Sequence, residues 1–228
     1  MNRIQRWYQE EKKKLNGMSK KEKAAYLWSY YKLWFLSILC ILSLLVFTVV
    51  RMITVPSKVT FFLIMTNTHA DVGDNSEFWK GYTDYTGYDP KEGQIHFDAQ
   101  NYFDFAKNQG EGNQYYSYFC GMVDADTLDA VVMEKDNLTA VGETGRLKDL
   151  NREACAELKE KYGDRLIYAT PLNTDYSTEP VPIGIDISDS ILVTKYGMYP
   201  NGCALGIGAG STRIEAVIQF LNYIMEDS

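Results

Sequence analysis

The sequence predicts an α/β domain, a mainly parallel sheet with helices on both faces, carried behind a single transmembrane helix. Three observations predict it. Residues 33–50, LWFLSILCILSLLVFTVV, hold no charged side chain, and at about 1.5 Å rise per residue such a run reaches most of a ~30 Å hydrocarbon core. Beyond residue 58, short β-branched and aromatic runs alternate with amphipathic stretches, as strands joined by helices do. The 228 residues leave room behind the apolar run for one ordinary domain. The organisation expected is a basic cytoplasmic juxtamembrane helix over 1–32, a transmembrane helix over 33–52, a linker over 53–57 and an extracytoplasmic α/β domain over 58–228.

Within the first segment, Ser19 followed by Glu22 forms a capping-box pattern, and no Gly or Pro interrupts from there into the apolar run. The exit, VVRMITVPSK, lacks the small-residue cleavage pattern of a secretory signal, so anchoring is the expectation. The first fifty residues carry nine cations against three acids, and the rest fourteen against twenty-seven. The positive-inside rule then puts the N-terminus in the cytoplasm and the larger part outside. Tyr26, Trp28, Tyr30, Tyr31 and Trp34 crowd the inner boundary, where amphipathic rings sit at headgroup depth. The basic segment is expected to face anionic lipid headgroups, at about 1 kcal/mol per cation near the surface.

The residues of KVTFFLIM (58–65) read as a buried strand running into the polar loop TNTHADVGDNS. Ser76 or Asn75 caps a helix through Phe78, Tyr82 and Tyr85, which Gly87 and Pro90 stop. QIHFDA is a strand with Ile95 and Phe97 on one face and His96 and Asp98 on the other. An aromatic stretch interrupted by NQGEGN follows, and then a strand over 128–133. Asn151 is read as the cap of a helix with Cys155, Leu158 and Tyr162 on one stripe. RLIYAT, VPIGIDI and ALGI are further strands, Asp189 starts a short helix, and Thr212 with Glu215 is a capping box for a final helix bearing Ile214, Val217, Ile218, Leu221 and Ile224.

The succession LDAVVM, DNLTAV, GRLKDL, VPIGIDISDS and ALGIGAGSTRIEAVIQFLNYI resembles the extracellular solute-binding proteins of ABC importers, of the type 2 periplasmic-binding-protein kind. The segment EKAAYLWSYYKLW is similar to the inner juxtamembrane start of single-pass membrane proteins of Gram-positive bacteria. Family members have two lobes, whereas 58–228 is of a size for one. The resemblance therefore implies a shortened, membrane-anchored form, resembling one lobe, that binds a small solute or a protein, an ABC-transporter permease among the partners. An accessory or structural subunit with no small ligand is the alternative.

An acidic outer part excludes a phosphate-binding face, so no nucleic acid is expected. In an open parallel sheet ligands collect beyond the carboxyl ends of the strands, which points to loops 66–74, 99–102 and 134–137. Thr66, Asn67, Thr68 and Asn137 offer neutral hydrogen-bonding groups there, and Tyr102 a stacking face. His69, Asp71, Asp74, His96 and Asp98, and separately Asp124, Asp126 and Asp129, fit no calcium-loop or H-E-x-x-H spacing and are read as surface groups. GIGAGST lacks a P-loop ending and reads as a turn. No nucleophile with a base is visible, so neither catalysis nor a cofactor is expected. Cys120, Cys155 and Cys203 form no C-x-x-C pair and read as small buried residues, with one bridged pair as the alternative. Asn137, Leu138 and Thr139 make a formal glycosylation sequon.

Overall fold

A computed structural model of the chain describes residues 3–54, 58–108, 112–172 and 179–225. It divides into two compact units, Met1–Val55 and Pro56–Ser228. Of the expected linker, residues 55–57 lie outside the described residues, as do parts of NQGEGN and of the connection after residue 172.

The first unit is a pair of helices, α1 (Arg3–Leu15) and α2 (Lys20–Thr54). The single juxtamembrane helix expected over 1–32 is thus two. The reason is the capping box itself: Ser19 N–H donates to Glu22 Oε2 at 2.8 Å, and Glu22 N–H to Ser19 Oγ at 3.4 Å. A cap of this kind starts a helix and cannot sit inside one. From Lys20 the backbone is helical without a break into the apolar run, and by length and composition α2 is a candidate membrane span or signal sequence.

The second unit is built on six strands: β1 (Val59–Thr66), β2 (Gln94–Asn101), β3 (Ala130–Met133), β4 (Leu166–Ala169), β5 (Val181–Asp186) and β6 (Ala204–Ile207). Between them lie α3 (Glu77–Thr86), α4 (Phe105–Asn108), α5 (Gln114–Asp124), α6 (Lys135–Gly142), α7 (Ala156–Lys161) and α8 (Ile191–Thr194), and α9 (Ile214–Met225) follows β6. The sheet order is β2-β1-β3-β6-β5-β4. β1 pairs in parallel with β2 and β3, whereas β3 with β6, β6 with β5 and β5 with β4 are antiparallel.

The sheet is therefore mixed, and the mainly parallel expectation is corrected. A parallel neighbour needs a crossover that travels the length of the sheet, about a dozen residues, usually as a helix. Between β5 and β6 the link of residues 187–203 carries only the single turn of α8 and no crossover helix, and β6 returns antiparallel beside β5. Alternation of strands and helices along the sequence does not distinguish these two cases.

Helices do cover both faces, because the strand residues alternate. Phe61, Leu63 and Met65 of β1, with Ala130 and Val132 of β3, enter one apolar core with Phe78 and Tyr82 of α3 and Val217, Phe220, Leu221 and Ile224 of α9. Phe62 and Ile64, with Val131 and Met133, enter a second core with Phe119 and Val123 of α5 and Leu138 and Val141 of α6. This is the two-residue strand period feeding two layers. Ser76 caps α3 as expected, its hydroxyl accepting from Trp79 N–H at 3.0 Å, and Gly87 closes it at φ 64°, a left-handed turn that glycine takes without strain.

Three expected caps fall elsewhere. Asn151 instead accepts from Lys159 Nζ at 2.6 Å, while Cys155, Leu158 and Tyr162 are buried as expected. Asp189 is held by Arg165 in a two-pronged pair, 2.5 and 2.7 Å, and α8 begins after Ser190. Before α9 it is Ser211, not Thr212, whose hydroxyl accepts a backbone hydrogen bond, from Arg213 N–H at 3.3 Å.

Ser211 belongs to a cluster around Asp129, which is fully buried rather than a surface acid. Its carboxylate accepts from Phe62 N–H at 2.8 Å, Ser211 Oγ at 2.6 Å and Arg213 Nε at 2.8 Å. The glycine-rich run after β6 is a turn, as read. The Asp126 carboxylate lies where a Cβ on Gly210 would be, so a larger residue there would have to displace that side chain. Removing one member of a buried pair strands the other. Asp129→Ala is expected to lower the unfolding free energy of the 56–228 unit by about 3–5 kcal/mol, read from urea denaturation; a loss within error of zero would show that the cluster is energetically idle.

Candidate functional site

The strand order reverses at β1. From β1 the chain moves outward to β2, then to the opposite side for β3. The carboxyl ends of β1 and β3 thus form a topological switch point, where loops splay apart and ligands of α/β proteins collect. All five candidate residues lie around it, but each is already engaged or buried.

Asn67, at φ 56°, donates through Nδ2 to Phe103 C=O at 2.9 Å and to Glu134 Oε2 at 3.3 Å, and its Oδ1 accepts from Phe103 N–H at 3.0 Å. Asn137 grips the same segment: Nδ2 donates to Phe103 C=O at 3.1 Å, and Oδ1 accepts from Phe105 N–H at 2.7 Å. Two amides thus act as a latch that holds residues 103–105 across the strand ends. Asn137 is 2% exposed, so the folded domain leaves no room for a glycan on its amide nitrogen.

Tyr102 is the outer brace. Its hydroxyl donates to Thr68 C=O at 3.0 Å and lies 3.2 Å from His69 Nδ1, and its ring meets Tyr115 edge-on. Thr66 and Thr68 are buried, and Thr68 Oγ1 accepts from Ala70 N–H at 3.3 Å. Beneath them sits Tyr199, which the sequence reading did not single out. Its hydroxyl lies 3.0 Å from Thr66 C=O and 3.1 Å from Val132 C=O, bridging β1 and β3. Burial raises its phenol well above the ordinary value, so it stays neutral.

The open space lies one row further out. A groove of ≈ 450 Å³ is lined by Asp104, Lys107, Glu134, Lys135, Asp136 and Asn201 among others. Both cations of its lining are paired, Lys107 Nζ with Asp104 Oδ2 and Lys135 Nζ with Asp186 Oδ2, each at 2.6 Å. Burial alone would raise the Asp186 carboxyl, but hydrogen bonds from Lys135 and Ser188 outweigh it and hold it below the usual carboxylate range. The arrangement offers alternating charges of both signs around polar groups, which suits a solute or segment carrying both.

A second groove, ≈ 530 Å³, lies beside the carboxyl half of β2 and is lined by Phe62 of β1 with Asp71, His96, Asp98 and Tyr118 among others. His69 is turned away toward Tyr102, Asp71 accepts from Gly73 N–H and Asp98 from Gln100 N–H. Among the described residues no three His, Cys, Asp or Glu side chains are arranged to hold a metal ion. The cysteines are all unbridged. Burial pushes the Cys203 thiol up to about 12 and raises Cys155 and Cys120 as well, which disfavours the reactive thiolate.

Comparison with family models, with curated proteins and with solved structures finds no match in any of the three.

Removing either latch amide leaves buried backbone groups unpaired, at about 1–3 kcal/mol. Asn67→Ala or Asn137→Ala is therefore expected to speed hydrogen exchange at Phe103 and Phe105, while exchange in β5 and β6 is unchanged; equal acceleration everywhere would mean the latch has no local role. For Asp186, a depressed folded-state pKa stabilises the fold above the unfolded value of about 3.9. That contribution is lost as pH falls through the folded value. Lys135→Met is expected to move the Asp186 titration upward by carbon NMR and to shift the acid unfolding midpoint of the 56–228 unit to higher pH. An unchanged titration would show that Lys135 does not set it.

Proposed function

We propose that the chain is a single-pass membrane protein with a cytoplasmic N-terminus and an extracytoplasmic α/β domain, and that this domain binds a small solute or a protein surface in the groove beyond β3. The observation that carries the reading is the coincidence of the ≈ 450 Å³ groove with the switch in strand order. Anchoring is supported by the apolar length of α2 and by the charge asymmetry on either side of it.

On this reading the domain is a shortened relative of one lobe of the solute-binding proteins of ABC importers, and a permease is a natural partner. The support is the pattern of LDAVVM, GRLKDL and VPIGIDISDS in the sequence, together with an α/β sheet sandwiched by helices. The mixed charge of the groove favours a zwitterionic or cationic solute over an apolar one. No cofactor, catalysis or nucleic acid enters the proposal.

One observation favours the second reading, an accessory subunit with no small ligand. The neutral amides at the switch point, Asn67 and Asn137, are spent on the chain's own backbone, so recognition falls to charged side chains near the surface, as in protein docking.

Thermal shift and calorimetry of the 56–228 unit against amino acids, dipeptides, monosaccharides and divalent ions separate the two. A true solute at a hundred times its Kd is expected to add about 2.7 kcal/mol of stability, and Asp136→Asn is expected to reduce that gain while lowering the unliganded stability by no more than about 1 kcal/mol, the share of an acid in the first turn of α6. If no solute stabilises the unit, the solute reading is wrong. Crosslinking in intact cells should then trap a recurrent membrane partner.

A further inference from the structure

We propose that the free edge of β2 is a self-association surface, through which two copies of the chain join antiparallel β2 strands into one continuous sheet. This surface is separate from the groove beyond β3 and does not depend on what that groove binds.

β2 is the outermost strand on its side of the sheet and is eight residues long, against four for β4 at the opposite edge. Gln94 N–H donates to Lys58 C=O at 2.9 Å, so the backbone of Gln94 faces β1. Successive residues of a strand turn their N–H and C=O to opposite sides, which points those of Ile95 and Phe97 outward. β1 agrees with this. Phe62 turns its N–H to Asp129 Oδ2 and its C=O to Asp129 N–H, on the β3 side, so Leu63 faces β2 and the ladder bonds fall to His96 and Asp98. Among the described residues, the outward N–H and C=O of Ile95 and Phe97 meet no partner.

An unpaired edge is a template for another strand, which Lys, Pro, bulges or a short length usually block. QIHFDAQN holds neither Lys nor Pro, and β2 runs without an inserted residue from Gln94 to Asp98, the irregularity falling after it. The edge is also open. The groove of ≈ 530 Å³ beside it is lined from both faces of the strand, by Phe97 with Ala70 and Val72 on one and by His96 and Asp98 with Tyr118 on the other. Tyr118 is 40% exposed.

Charge says which strand fits. His96 and Asp98 stand two residues apart on one face. His96 touches the ring of Phe62 and no polar group among the described residues. Asp98 accepts only from neutral donors, Gln100 N–H at 2.9 Å and the Tyr118 hydroxyl, so its charge is unmatched within the chain. In an antiparallel pair with its two-fold axis at Phe97, the two Phe97 residues exchange backbone hydrogen bonds, and His96 of each copy lies opposite Asp98 of the other. These are the close positions of the ladder, with Cα atoms about 4.5 Å apart. An imidazole N–H against a carboxylate is a hydrogen bond in either charge state of the ring. A centre at His96 would instead set imidazole against imidazole, and one at Ile95 would set Asp98 against Glu92. Asp71, on the loop after β1, accepts from Gly73 N–H and takes no part. A second copy therefore supplies both of the groups that each edge lacks.

The test follows the full chain in detergent micelles by energy transfer between donor- and acceptor-labelled copies. Transfer is expected to rise with concentration. His96→Asp alone and Asp98→Lys alone should each weaken self-association by about tenfold or more, because symmetry counts every substitution twice and opposes like charges. Mixing these two variants should restore association to within about threefold of the unaltered chain, since each then meets its opposite; restoration also shows that both fold. Asp98→Asn, which keeps an acceptor for Gln100 N–H, should weaken association less than Asp98→Lys. In the unaltered chain, hydrogen exchange at the amides of Ile95 and Phe97 should slow as concentration rises, while that of Gln94 stays the same. A chain that remains monomeric at every concentration overturns the proposal and leaves the edge to a strand of another protein. A dimer that ignores both charge changes and leaves Ile95 and Phe97 unprotected also overturns it, and places self-association elsewhere, such as in α2.

Discussion

The Asp129 carboxylate is the constraint on which the second unit depends. It is fully buried at the start of β3, and a carboxylate taken out of water costs several kcal/mol unless donors replace the lost hydration. The donors come from β1, through Phe62 N–H, and from the turn before α9, through Ser211 and Arg213. The charge is therefore satisfied only when β1, β3 and the start of α9 are together. At the other end of the same two strands, Tyr199 joins Thr66 C=O to Val132 C=O. The apolar layers above and below the sheet supply most of the driving force but no direction. The polar clamps at the strand ends supply register.

That arrangement decides what the switch point has left to offer. The neutral groups closest to the strand ends are structural, since the latch of Asn67 and Asn137 on residues 103–105 uses both the oxygen and the nitrogen of each amide. What faces outward is the first turn of α6 and the neighbouring Asp104, Lys107 and Asn201. A groove whose floor is this well tied is preformed, and a ligand bound there would cost little further chain entropy. Recognition would rest on charge placement at its rim.

Much of this was legible in the sequence, and the reasons differ by element. The six strands, α3 with its Ser76 cap and the buried stripe of α9 were readable because periodicity and capping are local properties. The direction of β6 was not, because it depends on whether the link across residues 187–203 crosses the sheet, and a single helical turn leaves no clear periodic mark. Asp129 read as one of three nearby acids, since its burial comes from Arg213, more than eighty positions away. Asn67 and Asn137 were correctly placed near the strand ends, but whether an amide faces a ligand or its own backbone is settled by a loop whose path the sequence does not display. Tyr199 left no signal beyond being an aromatic residue in a polar stretch. Ahead of the apolar run, the Ser19 and Glu22 pattern marked a helix start, but the separate helix α1 before it was not foreseen.

The proposal that the groove beyond β3 is the binding surface of the second unit stands or falls on which residues a ligand perturbs. Nitrogen-15 NMR of the 56–228 unit, titrated with amino acids, dipeptides and monosaccharides, addresses it directly. If the groove binds, saturable shifts are expected at the backbone amides of Lys135, Asp136, Asn201 and Gly202 with at least one of these solutes, and little movement at Phe103 and Phe105 behind the latch. Saturable shifts centred instead on residues 96–100 along β2, or none at all, would contradict it.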